Sequence, residues 1–213
     1  MTEAGMEEFR PGGLELTDRA AELMGLKPGD RVLDIGCGLG DSLEHLRRSL
    51  GIVPRGVDIS PETVALAGRD YITLGDAHEL PFPDGCFDGV LLECVLSLLE
   101  EPEGALRQAA RVLRPGGALA ISALSAGDGA ALRDRGRIDF DRLSRLLRER
   151  GFTLTALEDH SAALRQLVAQ AIFRYGSLEE YARQARSRLR SGVLDCSVPP
   201  RGTGYMLLTA RKD

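Results

Sequence analysis

The sequence of 213 residues has no tryptophan, only 5% aromatic residues and no long apolar run. A membrane-spanning helix needs about 20 consecutive apolar residues, so we expect no membrane partner. The start, Met1 to Arg10, is acidic and polar, whereas a secretory signal is basic and then apolar. These absences predict a cytoplasmic protein.

Cysteine and lysine are also scarce. The four cysteines form no CxxC pair and have no histidine at a metal-ligand spacing, which argues against a metal site. Only two of the 27 basic residues are lysines, and the net charge is −5. This balance disfavours nucleic acid as a partner, because nucleic-acid binding needs a basic surface. The hydrophobic content of 43% is sufficient for a folded core.

Short apolar runs alternate with amphipathic stretches along most of the chain. This alternation is typical of a parallel β-sheet with helices on both faces, so we predict an α/β fold. The seven predicted strands are Arg31 to Ile35, Ile52 to Asp58, Tyr71 to Leu74, Phe87 to Glu93, Ala118 to Leu124, Phe152 to Glu158 and Tyr205 to Ala210. The predicted helices in this part of the chain are Thr17 to Met24, Asp41 to Leu50, a helix capped by Ser60, Pro102 to Leu113 and Asp139 to Arg150.

We predict a single domain over residues 1–213, because this length suits one α/β unit with additional elements. Residues 1–30 form an N-terminal cap segment ahead of the first strand. Residues 161–204 break the alternation with two helical segments, Ala162 to Arg174 and Leu178 to Arg190. We interpret this stretch as an insertion, or lid, between the sixth and seventh strands.

The strongest motif is a strand that ends in Asp34 and continues into Gly36, Gly38 and Gly40. Glycines at alternate positions lack the Cβ atoms that keep a backbone away from a ligand, and they permit a tight turn into a helix. The dinucleotide pattern GxGxxG needs its third glycine at position 41, which is Asp41. Because a carboxylate there opposes a pyrophosphate, the loop favours a nucleoside without phosphates over NAD. Asp34 suits a cationic group such as an ammonium or a sulfonium.

Two further acids follow the next two strands. Asp58 lies 22 residues after Gly36, where an acid accepts hydrogen bonds from both ribose hydroxyls. Asp76 follows the third strand, and its side chain together with the N–H of Ala77 can read the amino group and a ring nitrogen of adenine. Since parallel strands end at one edge of the sheet, the acids predict one nucleoside site.

Five segments in this order resemble the class I S-adenosylmethionine-dependent methyltransferases, in particular the small-molecule branch called methyltransferase type 11. The segments are Asp34 to Gly40, Val57 to Ser60, Gly75 to Ala77, Leu80 to Asp88 and Arg111 to Gly117. The resemblance implies a three-layer αβα, Rossmann-like fold with a mostly parallel seven-stranded sheet and an antiparallel last strand. It also implies S-adenosylmethionine as cofactor, S-adenosylhomocysteine as product and a small-molecule methyl acceptor. We expect a monomer or a homodimer.

The resemblance assigns roles to individual residues. Asp34 and Gly36 would border the methionine part of the cofactor, Asp58 would hold the ribose, and Asp76 with Ala77 would read the adenine. The cofactor-binding residues implied in this way are Asp34, Gly36, Cys37, Gly38, Gly40, Asp58, Ile59, Asp76, Ala77 and Glu93. In this family the last strand lies beside the sixth, so residues 161–204 rise on the ligand side. With Arg10 to Leu14 and Ser125 to Arg137, they are expected to form the acceptor pocket.

The candidate catalytic residues are Glu93, Cys94 and His160. Glu93 and Cys94 end the fourth strand, where family members line the methyl-transfer site, and His160 ends the sixth strand, where an imidazole can act as a general base. The alternatives are structural: a capping acid, a buried thiol and a loop histidine. Cys94 and Cys196 could also bind a thiophilic acceptor, as in arsenite methyltransferases, which share the core motifs but carry extra cysteines ahead of the core.

Two other functional classes remain open. One is an NAD-linked oxidoreductase, which Asp41 in place of the third glycine disfavours. The other is a non-catalytic protein that retains the nucleoside pocket. The intact acids Asp34, Asp58 and Asp76 argue against loss of that pocket, but they do not define the acceptor site.

Overall fold

The computed structural model describes residues 10–126, 133–134, 136–189 and 203–213. The helices are α1 (Gly13–Met24), α2 (Asp41–Leu50), α3 (Pro61–Ala67), α4 (Pro102–Val112), α5 (Phe140–Glu149), α6 (Ser161–Tyr175) and α7 (Leu178–Leu189). The strands are β1 (Arg31–Ile35), β2 (Val53–Asp58), β3 (Ile72–Leu74), β4 (Phe87–Glu93), β5 (Leu113–Ala126), β6 (Arg133–Asp134), β7 (Arg137–Asp139), β8 (Phe152–Asp159) and β9 (Gly204–Lys212).

One mixed β-sheet organises the fold. The strands β3, β2, β1, β4 and β5 lie side by side in this order and run parallel. The last strand, β9, runs antiparallel to β5, and β8 pairs antiparallel with β9. This arrangement confirms the predicted α/β class, with a mostly parallel sheet and an antiparallel last strand.

Helices cover both faces of this sheet. Val32 and Leu33 are neighbours in β1, and their side chains enter different core clusters because side chains alternate along a strand. Leu33 belongs to the cluster that contains Leu106 of α4, whereas Val32 belongs to the cluster with Leu16 of α1 and Leu164 of α6. The cap helix α1 and the helix α6 therefore contribute to the same apolar core.

All seven predicted strands are present, and the structure adds two short ones. The strands β6 and β7 have two and three residues, and β7 pairs with the end of β5. They lie between β5 and α5, at the end of the connection predicted from Ser125 to Arg137, and are too short to show an alternating pattern. The leading helix also begins earlier than predicted, at Gly13 instead of Thr17, because Gly12 adopts a φ of 78° as its N-cap.

The two helices predicted after the sixth strand are present as α6 and α7. The helix α6 starts directly after β8 and buries Leu164 and Ala171. The rings of Tyr175 and Tyr181 lie 5.7 Å apart, so the two helices contact each other. Cys196 lies outside the described residues, as does the rest of 190–202. In the part of the chain that the structure describes, no helix is both long and apolar enough to cross a membrane.

Candidate functional site

A cavity of about 700 Å³ lies at the carboxyl ends of β1, β2 and β4. The cofactor-binding residues predicted from the sequence that line this cavity are Asp34, Gly36, Cys37, Gly38, Asp58, Ile59, Asp76, Ala77 and Glu93. Cys94 also lines it, whereas Gly40 and His160 do not. The strand ends thus bring the three acids of the predicted nucleoside site into one crevice.

The glycine loop turns the chain from β1 into α2. Gly36, Gly38 and Gly40 have φ angles of 74°, 56° and 77°, a left-handed conformation that favours glycine. A Cβ on Gly36 would overlap the side chain of Val95, and a Cβ on Gly40 would lie 2.6 Å from Ile72 Cδ1. A Cβ on Gly38 would meet no described atom within 4 Å. Gly36 and Gly40 therefore pack against the protein, while Gly38 faces open space.

Asp58 connects the end of β2 to the glycine loop. Its Oδ2 accepts the N–H of Gly38 at 2.9 Å, and its Oδ1 accepts the N–H of Ser60 at 3.0 Å. A carboxylate has about four acceptor positions, so these two bonds leave capacity for two hydroxyl donors. The neighbouring side chain of Ile59 is 55% exposed and forms part of the cavity wall. Together they offer hydrogen-bond acceptors beside an apolar surface.

Asp34, at the end of β1, is only 3% exposed. Burial raises the pKa of its carboxyl well above the usual value, and the nearby charge of Glu93 raises it further against the opposing effect of Arg10. A cation placed beside Asp34 would lower this pKa again, because it stabilises the carboxylate. The electrostatics of this end of the cavity therefore favour a positively charged ligand group.

Three side chains hold Glu93 at the end of β4. Arg10 forms an ion pair with it, Ser42 Oγ donates to it at 2.6 Å, and Thr17 Oγ1 donates at 3.0 Å. The Glu93 side chain is 7% exposed. These bonds fix the orientation of the carboxylate, and its role on the acceptor side stays a prediction.

Cys94 links β4 to the last strand. Among the described residues it is the one non-glycine with a positive φ, 58°. Its Sγ lies 2.8 Å from the hydroxyl of the buried Tyr205, which in turn donates to Ser122 Oγ at 3.1 Å. The other cysteine in the cavity wall, Cys37, has a thiol whose pKa is raised by burial, so it is a poor nucleophile. The predicted thiol pair stays untested, since Cys196 is not described.

The structure does not bring His160 together with the other catalytic candidates. Its Nε2 lies 3.1 Å from Glu158 Oε2, and Arg19 Nε of α1 donates to the same oxygen at 3.1 Å. His160 therefore belongs to a polar cluster that joins α1 to the end of β8. Its role as a general base stays a prediction.

A family model matches the middle of the chain, and one relative matches nearly all of it. A family model described as Methyltransferase domain matches residues 33–121. The 27-O-demethylrifamycin SV methyltransferase of Amycolatopsis mediterranei is 34% identical over 224 aligned positions, which cover 92% of this chain and 82% of that protein. The chain belongs to the class I S-adenosylmethionine-dependent methyltransferases.

Further relatives support this family. The demethylmenaquinone methyltransferase of Tropheryma whipplei is 36% identical over 115 residues, covering 50% of this chain and 46% of that protein. The crystal structure of the [4+2]-cyclase SpnF has a TM-score of 0.69 and 27% identity, covering 94% of this chain and 80% of that one. The relatives named as methyltransferases support methyl transfer to a small-molecule acceptor, whereas SpnF, which is named as a cyclase, supports the fold. None of these three proteins is named as an NAD-linked oxidoreductase.

Sequence reasoning missed the contribution of His78 to this candidate site. Its Nδ1 lies 2.7 Å from Asp76 Oδ1, and its Nε2 lies 3.0 Å from the carbonyl oxygen of Glu101. Both ring nitrogens face acceptors, an arrangement that favours the doubly protonated imidazolium. The hydrogen bond to Asp76 raises the pKa of His78, and the bonds from His78 lower the pKa of Asp76. His78 therefore positions Asp76 in the cavity wall.

We expect the His78–Asp76 pair to make stability depend on pH. The pKa of His78 is raised in the folded protein. The contribution of the pair to the free energy of unfolding is therefore complete below about pH 6.5 and is lost as the pH rises through the raised pKa. The lowered pKa of Asp76 preserves the contribution down to about pH 4. Both side chains are partly exposed, so we expect the pair to contribute less than about 1 kcal/mol.

Thermal unfolding of the wild type and His78→Gln at pH 6 and pH 9 measures this effect. The difference in stability between the two proteins should be larger at pH 6 than at pH 9. The same difference at both pH values would contradict a charged His78. Since His45 and His160 are present in both proteins, their titration cancels from the comparison.

Proposed function

We propose that this methyltransferase moves a methyl group from S-adenosylmethionine to an oxygen of a small-molecule acceptor and releases S-adenosylhomocysteine. The observation that carries the proposal is the convergence of Asp34, Asp58 and Asp76 on one cavity. Each acid suits a different part of the cofactor: the cationic methionine half, the ribose and the adenine.

The residues of the cavity fit a nucleoside cofactor without phosphates. Gly38 leaves open space, Asp58 retains acceptor capacity, and Asp34 is a buried carboxyl to which the described residues supply no hydrogen-bond donor. Asp41, in the first turn of α2, also lines the cavity, and its charge would oppose a pyrophosphate. A volume of about 700 Å³ lies within the range of roughly 300 to 1,000 Å³ found for ligand pockets.

The task of the protein in this reaction is mainly one of alignment. The bound cofactor supplies a methyl group that its sulfonium already makes electrophilic. Asp58 and Asp76 would fix the nucleoside, and the backbone of Gly36 would border the methionine half. Holding the acceptor in line with the methyl can lower the barrier by on the order of 7 to 11 kcal/mol. A hydroxyl acceptor also needs a base, for which Glu93 and His160 stay the candidates.

The choice of oxygen as the acceptor atom depends on the relative that matches most of the chain. Its name specifies O-methylation of a rifamycin, and the match covers 92% of this chain, well beyond the cofactor-binding core. We assign the acceptor contacts to the cap segment and to the insertion after β8, of which the structure describes α6 and α7. Leu16 of α1 and Leu164 of α6 belong to one core cluster, so these two segments are joined by packing.

An assay with methyl-labelled S-adenosylmethionine tests the proposal. We expect label on hydroxylated acceptors, such as a demethylated rifamycin or a quinol, and none on arsenite or amines. Transfer to arsenite or a thiol would replace the oxygen assignment with a role for Cys94. Binding of S-adenosylhomocysteine without transfer to any acceptor would favour a non-catalytic binding protein. A wild-type protein that binds neither nucleoside would overturn the proposal entirely.

A further inference from the structure

An arginine from the N-terminal cap segment reaches the cavity. Arg10 lies just before α1, and its carbonyl oxygen accepts the N–H of Gly13 at 3.3 Å. Gly12 and Gly13 have φ angles of 78° and 50°, so the chain turns sharply from Arg10 into the helix. A Cβ on Gly12 would lie only 2.9 Å from Leu16 Cβ. This turn positions Arg10 relative to α1.

The Arg10 guanidinium is buried between side chains of α1, α2 and the end of β4. Its side chain is 14% exposed. The Nη1 atom donates to Glu93 and to Ser42 Oγ, the latter at 2.8 Å, and Nη2 donates to Thr17 Oγ1 at 2.8 Å. A guanidinium has five N–H donors, so these three bonds, the ones that Arg10 donates to described side chains, leave two for a ligand. The planar group can pair with a carboxylate through two parallel hydrogen bonds.

The charges at this end of the cavity match an amino-acid zwitterion joined to a sulfonium. Asp34 and Glu93 supply two carboxyl groups, and Arg10 supplies one cation close to both. The methionine half of S-adenosylmethionine has two cationic groups and one carboxylate. Its carboxylate would complement Arg10, and its ammonium and sulfonium would complement the two acids. Buried charges are stable when they are paired in this way.

We propose that Arg10 binds the carboxylate of the methionine half of the cofactor and that Glu93 faces its ammonium. This inference rests on the proposed function and deepens it, because it makes the N-terminal cap part of the cofactor site. It also places Glu93 on the cofactor side, which leaves any base for a hydroxyl acceptor to another group.

Two ligands that differ in the amino-acid end provide the test. S-adenosylhomocysteine and 5′-methylthioadenosine share the nucleoside and the thioether, but the carboxylate and ammonium are present only in the first. We expect Arg10→Gln to weaken S-adenosylhomocysteine binding by roughly 10- to 150-fold in titration calorimetry. Binding of 5′-methylthioadenosine should stay within a factor of about two, because this ligand makes no charge-assisted bond to Arg10.

A second arginine gives a matched control. Arg19 of α1 is half-exposed and pairs with Glu158 outside the cavity lining, so Arg19→Gln should leave both affinities unchanged. Arg10→Lys keeps the positive charge beside Glu93 but lacks the planar fork, so we expect a smaller loss with the same selectivity. If Arg10→Gln does not fold, this lysine variant decides the question.

Three results would overturn the inference. Equal weakening of both ligands would mean that Arg10 only supports the shape of the cavity. If Arg10→Gln changed only the KM of the acceptor, the guanidinium would bind the acceptor and not the cofactor. A wild-type protein that binds neither ligand would reject the proposed function as well, whereas the first two results would leave that function intact.

Discussion

Asp58→Ala is expected to weaken binding of S-adenosylmethionine roughly 10- to 150-fold, because it removes charge-assisted hydrogen bonds worth about 1.5 to 3 kcal/mol. The two bonds that Asp58 accepts from backbone N–H groups leave it two acceptor positions, one for each ribose hydroxyl. Titration calorimetry of the purified variant measures the change. An affinity within a factor of two of the wild type would reject the ribose assignment.

The same substitution also affects the protein itself. Asp58 accepts the N–H of Gly38, so its loss loosens the glycine loop even without a ligand. Thermal unfolding of the ligand-free variant separates this effect from the lost ribose contact. Asp70→Ala is the control for net charge, since Asp70 is an exposed acid that does not line the cavity. This control variant should bind the cofactor like the wild type.

The central strands β1, β4 and β5 were predictable because they are buried on both faces and appear as short apolar runs between amphipathic stretches. The bounds of α2 were also predictable, since Gly40 and Gly51 flank it and both adopt the left-handed conformation. The convergence of Asp34, Asp58 and Asp76 follows from topology, because each acid comes at or just after the carboxyl end of a parallel strand. Position in the sequence and strand direction together placed these acids in one cavity.

Contacts between distant side chains could not be predicted in this way. The pairing of Arg10 with Glu93 joins residues 83 positions apart, and the contact of His78 with Glu101 spans 23 positions. No periodic pattern in the sequence relates such residues. Their contact depends on how α1 and α4 pack against the sheet. The role of a cap arginine in the cavity therefore became visible only in three dimensions. His160 shows the converse, because its strand-end position predicts a site residue, whereas its described contacts lie elsewhere.

Gly36→Ala is expected to destabilise the protein more than an alanine at Gly38, the other glycine of the loop that lines the cavity. A φ of 74° costs an L-residue about 1 to 2 kcal/mol. The added Cβ would also overlap Val95, and overpacking of this kind costs typically about 1 to 3 kcal/mol. The expected decrease in the free energy of unfolding is therefore about 2 to 5 kcal/mol.

Gly38→Ala is the matched comparison, since it adds the same methyl group at a φ of 56° with no described atom within 4 Å. The free energy of unfolding of this variant should decrease only by the cost of the left-handed backbone, about 1 to 2 kcal/mol. Its methyl group, however, enters the space assigned to the cofactor. Denaturant unfolding and titration with S-adenosylhomocysteine separate the two effects.

Replacing Val95 with alanine in the Gly36→Ala background should restore part of the stability, because it removes the overlapping methyl groups. Equal unfolding free energies for the two single variants would mean that Gly36 is not packed against Val95, and an unchanged affinity in Gly38→Ala would mean that the cofactor does not approach the loop there.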